Sequence, residues 1–517
     1  MSIGRKVLSL GKRKADDTSD TEISVPVGMF DVQLPARQFM VHHKVAEVGQ
    51  VSLTTEFLLR LLHSVDGMTE EEVAQFFGFD ANEMAFVVAD PESKGFISRA
   101  DGRLWLTDAG HGLFKEDSDK PQIHEVLKKY ERVGFDLLAL APCEKEGLSA
   151  FERALPELPI RNPDLAAHAS KYVPESFRRF YGEIASRRNR DAADNLKRLS
   201  LYSVDEVTAG DRYSALVPFM AETNIRKPGD AEPVLDGWRT GHELSDRDEV
   251  VHAVGAFLDN LKIARSREAD NAYELLADFA PEYMKDYVTR GGISVLRFFK
   301  ETARRSGELR SERRTIGIIG SLYLPENSRR ISAAINYAAA PAHGDDDAYI
   351  WMYPSQSAWG ASRALVSLMQ KLSHEGVPQI AKNERRERAQ VLVGCGKPEW
   401  HLIKQAQKIY DRPNNGAIPS ALEVLLIPQR VAAVTVHSSI LETRGYPVPL
   451  GILSFDASVV RRVHQYLQTQ LPKRLNVYNG HGSYEIHSRL SWPAEIEQPV
   501  SSADADGLGG PAGGLGE

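Results

Sequence analysis

A chain of 517 residues has the length of about two to four domains. Its 42% hydrophobic and 26% charged content is that of an ordinary globular protein, which excludes a fibrous or wholly disordered chain. A net charge of −8 excludes a global polycation, so any nucleic-acid contact must come from a local basic patch.

Cys143 and Cys395 suggest neither a disulfide framework nor a cysteine-based zinc site, which fits a reducing, cytoplasmic location. Apolar runs such as residues 316–324 are too short to span a bilayer, so no membrane partner is expected. Residues 1–24 form a polar head with Arg5, Lys6, Lys12, Arg13 and Lys14 beside Asp16, Asp17 and Asp20. It has no apolar core of signal-peptide length and is expected to be disordered.

Residues 25–118 are expected to form the first domain. Alternation around 29–32 and 39–41 predicts extended structure packed on the rest of that domain. Phe57, Leu58, Leu61, Leu62 and Val65 fall at helical spacing and predict a helix over 54–64. Thr69 with Glu72, and Asp80 with Glu83, are capping boxes that start a second and a third helix. Gly78 suits a left-handed helix end, and Pro91 limits or kinks the third helix. Residues 96–99 and 103–106 alternate as strands around Asp101-Gly102, a strong hairpin signal. Thr107 caps a last short helix.

Three helices followed by a two-stranded ribbon resemble a winged helix. The runs Lys94-Gly95-Phe96-Ile97, Asp101-Gly102-Arg103 and Leu106-Thr107-Asp108-Ala109-Gly110 resemble the wing of bacterial transcription-regulator-type members. The resemblance covers residues 52–114. It implies a third helix in the DNA major groove and a wing on the backbone. The third helix departs from that pattern. It carries Asp80, Glu83, Asp90 and Glu92 against Lys94 alone, whereas phosphate contact wants Lys and Arg. The candidate contacts are therefore Lys94, Arg99 and Arg103. Protein docking is the competing use of the module.

Residues 119–310 read as a mainly helical middle region. Helices are predicted over 121–140, 175–199, 246–265, 267–279 and 282–304. A hairpin is predicted near 201–221, with Ala209-Gly210-Asp211 as its turn, and a linker over 225–245. The basic stretches hold Arg187, Arg188 and Arg190 on one helix and Arg304 and Arg305 near a hinge at 297–314. All five are candidate phosphate contacts.

From residue 311 to 472, strands alternate with helices. Strands are expected at 316–324, 348–353, 389–394, 423–428, 432–437 and 448–455, with helices at 328–339, 358–373, 399–410 and 457–470. Continuous apolar strands argue an α/β sheet, mostly parallel or mixed, covered on both faces. A tail follows over 473–517, low-complexity and expected to be disordered from about residue 500. The fold class is thus multi-domain α+β, with an N-terminal winged helix and a C-terminal α/β domain.

Motifs for nucleotide chemistry are absent: there is no phosphate-binding G-x-x-x-x-G-K-[ST] loop and no G-x-S-x-G elbow. Gly394-Cys395-Gly396-Lys397 offers backbone amides to an anion, against the plainer reading of a strand–helix turn. Asp345, Asp346 and Asp347 bunch before a strand and are expected to be solvated. Glu399 and His401 are expected on different helix faces, and His42, His43, His481 and His487 stand isolated. No cofactor and no metal are expected.

His437 ends a strand, and a later strand and a last helix come after it. This order resembles the second half of phospholipase D-like phosphodiesterases, whose strand ends in H-x-K-x-x-x-x-D. The resemblance implies His437 as nucleophile or acid. Ser439 stands in place of the lysine and Arg444 in place of the aspartate, so it implies a catalytically dead relative.

The leading expectation is a DNA-binding accessory protein, with a protein partner encoded nearby. A winged helix joined to a degenerate phosphodiesterase-like domain resembles components of anti-phage (antiviral) defence systems. The alternatives are a phosphodiesterase or nuclease using His437, and a protein-interaction scaffold.

Overall fold

The computed structural model describes residues 23–48, 53–65, 67–114, 121, 124–188, 199–236, 238, 244–305, 307–338, 348–375, 387–406, 408–479 and 484–489. The fold is mixed α+β, with a large mixed sheet in its C-terminal part. The chain divides into two compact units. The smaller holds Leu34–Glu146 and Ile160–Ala215; the larger holds Met1–Gln33, Gly147–Pro159 and Leu216–Glu517. Strand β1 (Ser24–Val48) contributes residues 24–33 to the larger unit and 34–48 to the smaller.

In the smaller unit, local signals shape the stretch after β1. It contains α1 (Leu53–Ser64), β2 (Met68–Thr69), α2 (Glu70–Phe77), α3 (Ala81–Ser93), β3 (Ile97–Ala100), β4 (Arg103–Leu106) and α4 (Asp108–His111). The Thr69 hydroxyl accepts from the Glu72 N–H while the Glu72 carboxylate accepts from the Thr69 N–H, and Asp80 and Glu83 repeat the arrangement. Each box satisfies helix-end donors that would otherwise be unpaired. Asp101 and Gly102 both adopt left-handed φ, 54° and 75°, as a two-residue hairpin with the native strand twist requires. Leu58, Leu62, Val73, Met84, Val88, Ile97 and Leu104 close one core. Strand β2, which the sequence pattern does not announce, pairs with β4 and makes a three-stranded sheet.

The predicted helix over 121–140 is instead a strand, β5 (His124–Asp136), antiparallel to β1 from Ala36↔Asp136 to Val48↔His124. Phe39, Val41, Val133 and Phe135 face α5 (Pro163–Ala167), α6 (Ala169–Arg179) and α7 (Tyr181–Arg188), where Val173, Phe177, Phe180 and Ile184 meet them. The apolar face of β1 is therefore covered by these helices rather than by the module at 53–114. The helix expected at 175–199 is the pair α6 and α7, and its continuation lies outside the described residues. Strand β6 (Leu199–Asn224) runs straight through the turn expected at Ala209-Gly210-Asp211. Gly210 lies flat against β1, and a Cβ there would stand 3.2 Å from the Gln38 carbonyl.

In the larger unit, the end of β6 forms a hairpin with β7 (Lys227–Val234), where a linker was expected. Next come α8 (Asp248–Asn260), α9 (Arg267–Phe279), α10 (Pro281–Met284), β8 (Val288–Thr289), β9 (Gly292–Ile293) and α11 (Val295–Arg304). The middle region is thus less helical than its sequence suggests.

The main sheet takes β10 (Thr315–Ile319), β11 (Ala348–Met352), β12 (Ala389–Cys395), β13 (Lys408–Arg412), β14 (Leu422–Ile427), β15 (Val431–Ser438), β16 (Val448–Ser454), β17 (Arg474–Asn479) and β18 (Tyr484–Arg489). Their order is β10-β16-β15-β14-β11-β12-β13-β17-β18. Only β11–β12 and β12–β13 are parallel, so the sheet is mixed. Every residue of β11, β14, β15 and β16 is buried, as expected of strands covered on both faces. The helices α12 (Pro325–Tyr337), α13 (Arg363–His374) and α14 (Trp400–Gln405) supply Ile331, Ile335, Leu365, Leu368, Leu402 and Ile403 to a core with Trp351, Leu425 and Ala433. Helices α9 and α15 (Ala457–Gln470) lie against β15. The helix expected over 399–410 ends at Gln405, and its second half is β13.

Candidate functional site

One end of the main sheet collects its buried polar groups. Side chains alternate along a strand, so Trp351, Leu425, Glu423, Ala433, Thr435 and His437 share one face, with Glu423 directly opposite Thr435. Apolar residues fill that face until Glu423, which is 0% exposed. A buried carboxylate is costly unless its lone pairs are taken. Here all are: Oε1 accepts from Trp351 Nε1 at 2.9 Å and Trp359 Nε1 at 3.2 Å. Oε2 accepts from the Thr435 hydroxyl at 2.8 Å and His437 Nε2 at 2.6 Å. Burial alone would raise the Glu423 carboxyl. The facing His437, with Thr435 and Trp351 as donors, instead holds it below the usual carboxylate range.

His437 is 3% exposed, and its second nitrogen, Nδ1, donates to Gln356 Oε1 at 2.6 Å. Both ring nitrogens are thus taken by side-chain oxygens at 2.6 Å. Neither is open for attack on phosphorus. Ser439 turns its hydroxyl to the Thr443 carbonyl at 2.9 Å, and Arg444 donates to the Lys262 carbonyl at 3.1 Å. Neither contacts His437.

An aromatic and hydroxyl layer surrounds this pair. Trp351 and Trp359 meet edge to face at 5.6 Å, and Tyr353 stacks on Trp359 at 5.0 Å. Burial raises the Tyr323 phenol to about 12, and its oxygen accepts from the Gly360 N–H at 3.2 Å. Nearby, Asp31 on β1 is buried and accepts from the Ser362 hydroxyl at 3.1 Å and the Arg363 N–H at 2.6 Å, which ties the head of the chain to the start of α13.

Sequence inspection passed over Glu423, Gln356 and Thr435. The available signal was a lone carboxylate within the apolar run Leu422-Glu423-Val424-Leu425. Glu399 and His401, expected on different faces, do meet: Glu399 precedes the helix, and its Oε2 lies 3.6 Å from His401 Nδ1. Burial holds the His401 ring below the usual histidine value. The Gly396 N–H, one of the backbone amides weighed as an anion holder against a plain strand–helix turn, donates to Asp411 Oδ1 at 2.8 Å. Asp345, Asp346, Asp347, His481 and Arg190 lie outside the described residues. Among the described residues no His, Cys, Asp and Glu group of metal-binding size occurs, and no helix is long and apolar enough to cross a membrane.

Four of the candidate phosphate contacts, Lys94, Arg99, Arg103 and Arg305, are engaged by other groups. Lys94 pairs with Asp90 at 2.9 Å, and Arg99 with Glu70 at 3.2 Å and Glu92 at 3.3 Å. Arg103 donates to the Gly67 carbonyl at 2.6 Å. Arg187 and Arg188 end α7. Arg304 and Arg305 end α11, where Arg304 is exposed and Arg305 pairs with Glu301 at 3.2 Å. Comparison of the chain with protein-family models, curated proteins and solved structures gives no match.

Proposed function

We propose that this chain is a non-catalytic, nucleic-acid-associated accessory protein. The order of helices and ribbon in residues 53–114 supports the nucleic-acid part of this reading, through its likeness to winged helices. The enclosure of His437 supports the non-catalytic part and carries the conclusion: a nucleophile cannot work with both ring nitrogens bonded to Glu423 and Gln356. The test is a mobility shift of short duplex DNA between about 50 and 200 mM salt, where phosphate-driven binding weakens steeply. Absence of a shift at the lower salt refutes it.

Protein docking through the same module has an observation of its own. Phe76 on α2 is 65% exposed and Phe86 on α3 is 83% exposed, beside an acidic helix face. Large exposed aromatics on an acidic helix fit a protein surface better than a phosphate backbone. Under this reading, Phe86→Ser abolishes co-purification of a stoichiometric partner and leaves any DNA shift unchanged.

A further inference from the structure

We propose that Trp400, with Lys397, Lys404 and Arg153, forms a binding site for the base and phosphate of a nucleotide unit. The site stands apart from the Glu423–His437 pair and does not depend on the winged-helix likeness. It is a cavity of about 510 Å³ in the larger unit, lined by Ala150, Arg153, Ala154, Trp400 and Lys404. That volume suits a nucleotide-sized ligand.

Trp400 opens α14 and is 55% exposed, and it is the single tryptophan in the exposed class among the described residues. Its neighbour His401 is turned inward beneath Phe151, at 6.1 Å between ring centroids, so the helix start is anchored while the Trp400 indole projects outward. The turn Glu152–Ala154 packs on α14 and forms the opposite wall. Reciprocal bonds between Ser149 and Glu152 hold that turn, and Arg153 is held through the Leu148 carbonyl.

Two cations lie against the indole. Lys397 Nζ lies 5.9 Å and Lys404 Nζ 5.6 Å from the ring centroid. Neither ammonium has a carboxylate partner among the described residues, in contrast to Lys94, Arg99 and Arg305. Two acids of this stretch accept backbone N–H groups. Glu399 accepts from the Ala358 N–H at 2.8 Å, and Asp411 accepts from the Gly396 N–H at 2.8 Å. An exposed indole between two cations matches a ligand with a flat π-face and an anionic arm. Stacking on an aromatic ring with lysines on the backbone is how single-stranded nucleic acid is held without sequence preference. In the free protein the lysines rest on the ring face, and a base displaces one of them onto its own phosphate.

The chemistry is shared by a free mononucleotide and by a single strand, and the assay has an arm for each. Tryptophan emission is titrated with adenosine monophosphate and, separately, with a short oligothymidylate. Saturable quenching by either probe, lost in Trp400→Ala and kept in Trp400→Phe as affinity without quenching, is the expected result. Trp400→Ala weakens the responding probe roughly tenfold, the scale of one lost stacking contact. Lys397→Gln with Lys404→Gln lowers the salt slope for the oligonucleotide by about 0.7 per lysine. The side chains are exposed, so melting temperatures of the variants stay at the wild-type value. Binding by the oligonucleotide alone assigns the site to a strand, and binding by both assigns it to the nucleotide unit. Unchanged affinity in Trp400→Ala, or no response to either probe, overturns the proposal. A duplex shift that survives Trp400→Ala leaves the accessory-protein reading standing while this site falls.

Discussion

Replacing Glu423 by glutamine keeps the shape of the side chain and removes its charge. In the native site each carboxylate oxygen accepts two donors: the indoles of Trp351 and Trp359 on one, Thr435 and His437 on the other. A glutamine offers one oxygen and one NH2 group. Whichever way it turns, two buried donors face a donor. Each buried polar group left unpaired costs about 1–3 kcal/mol. Removing one partner of a buried, hydrogen-bonded acid–base pair costs about 3–5 kcal/mol. The expected loss for Glu423→Gln is therefore about 3–5 kcal/mol. Urea unfolding followed by emission of the two buried indoles reads it directly, since both donate to the altered group. Pairing the change with His437→Gln should recover part of the loss, as neighbours in one network do not add. A loss below about 1 kcal/mol, the size of an ordinary substitution, would refute the reasoning.

His437→Ala should leave any plasmid-nicking activity of the purified protein unchanged; activity abolished by it would restore the catalytic reading. The Glu423 carboxyl is held below its ordinary value of 4.5, so its contribution is present above that pH and is lost as pH falls through the folded value; Glu423→Gln should flatten acid unfolding there. His401 and His464 are buried and held below their ordinary 6.5, so both favour the neutral form, and stability should fall as pH drops below that value. His401→Gln should shrink that slope in melting curves taken between about pH 7 and 5, and an unchanged slope would exclude it. Gly451→Ala would set a Cβ 1.9 Å from the Val434 carbonyl oxygen and 2.7 Å from the Thr435 Cα, both backbone atoms. The cost should reach about 3 kcal/mol, the upper end for overpacking, and an unaltered melting temperature would sink the claim.

Residues 53–114 were legible because their signals are local. Thr69 with Glu72, Asp80 with Glu83, and Asp101-Gly102 each act within four residues, and all three appear as expected. The strands of the main sheet were legible as apolar runs, since burial on both faces leaves little room for polar residues. Strand β5 was misread because Leu127, Tyr130, Glu131 and Val133 mimic helical spacing, and what makes it a strand is β1, far away in sequence but adjacent in register. Gly210 looked like a turn because glycine permits one, while it lies in an extended chain where the nearness of Gln38 leaves only a tight fit for a side chain. Glu423 has no local partner at all. Its four donors come from residues 351, 359, 435 and 437, and only the strand register brings them together. Trp400 was hidden for a related reason: Arg153, across its cavity, lies far away in sequence.

The split of β1 bears on the order in which a ribosome can complete the molecule. Everything in the smaller unit lies between Leu34 and Ala215, so that unit can close while the rest is still being made. Asp31 must wait for Ser362 and Arg363, which lie 331 and 332 positions further along the chain. At synthesis rates of about 5–20 residues per second, that interval is roughly 15–65 seconds. Until β6, the neighbour of β1 in its sheet, has been made, residues 24–33 present open strand edge and the side chains of Val27, Phe30 and Val32, all later buried. Exposed edge of this kind recruits other strands. Substitutions that slow the arrival of β6 or α13 should therefore lower soluble yield during synthesis even where the finished protein is as stable as before.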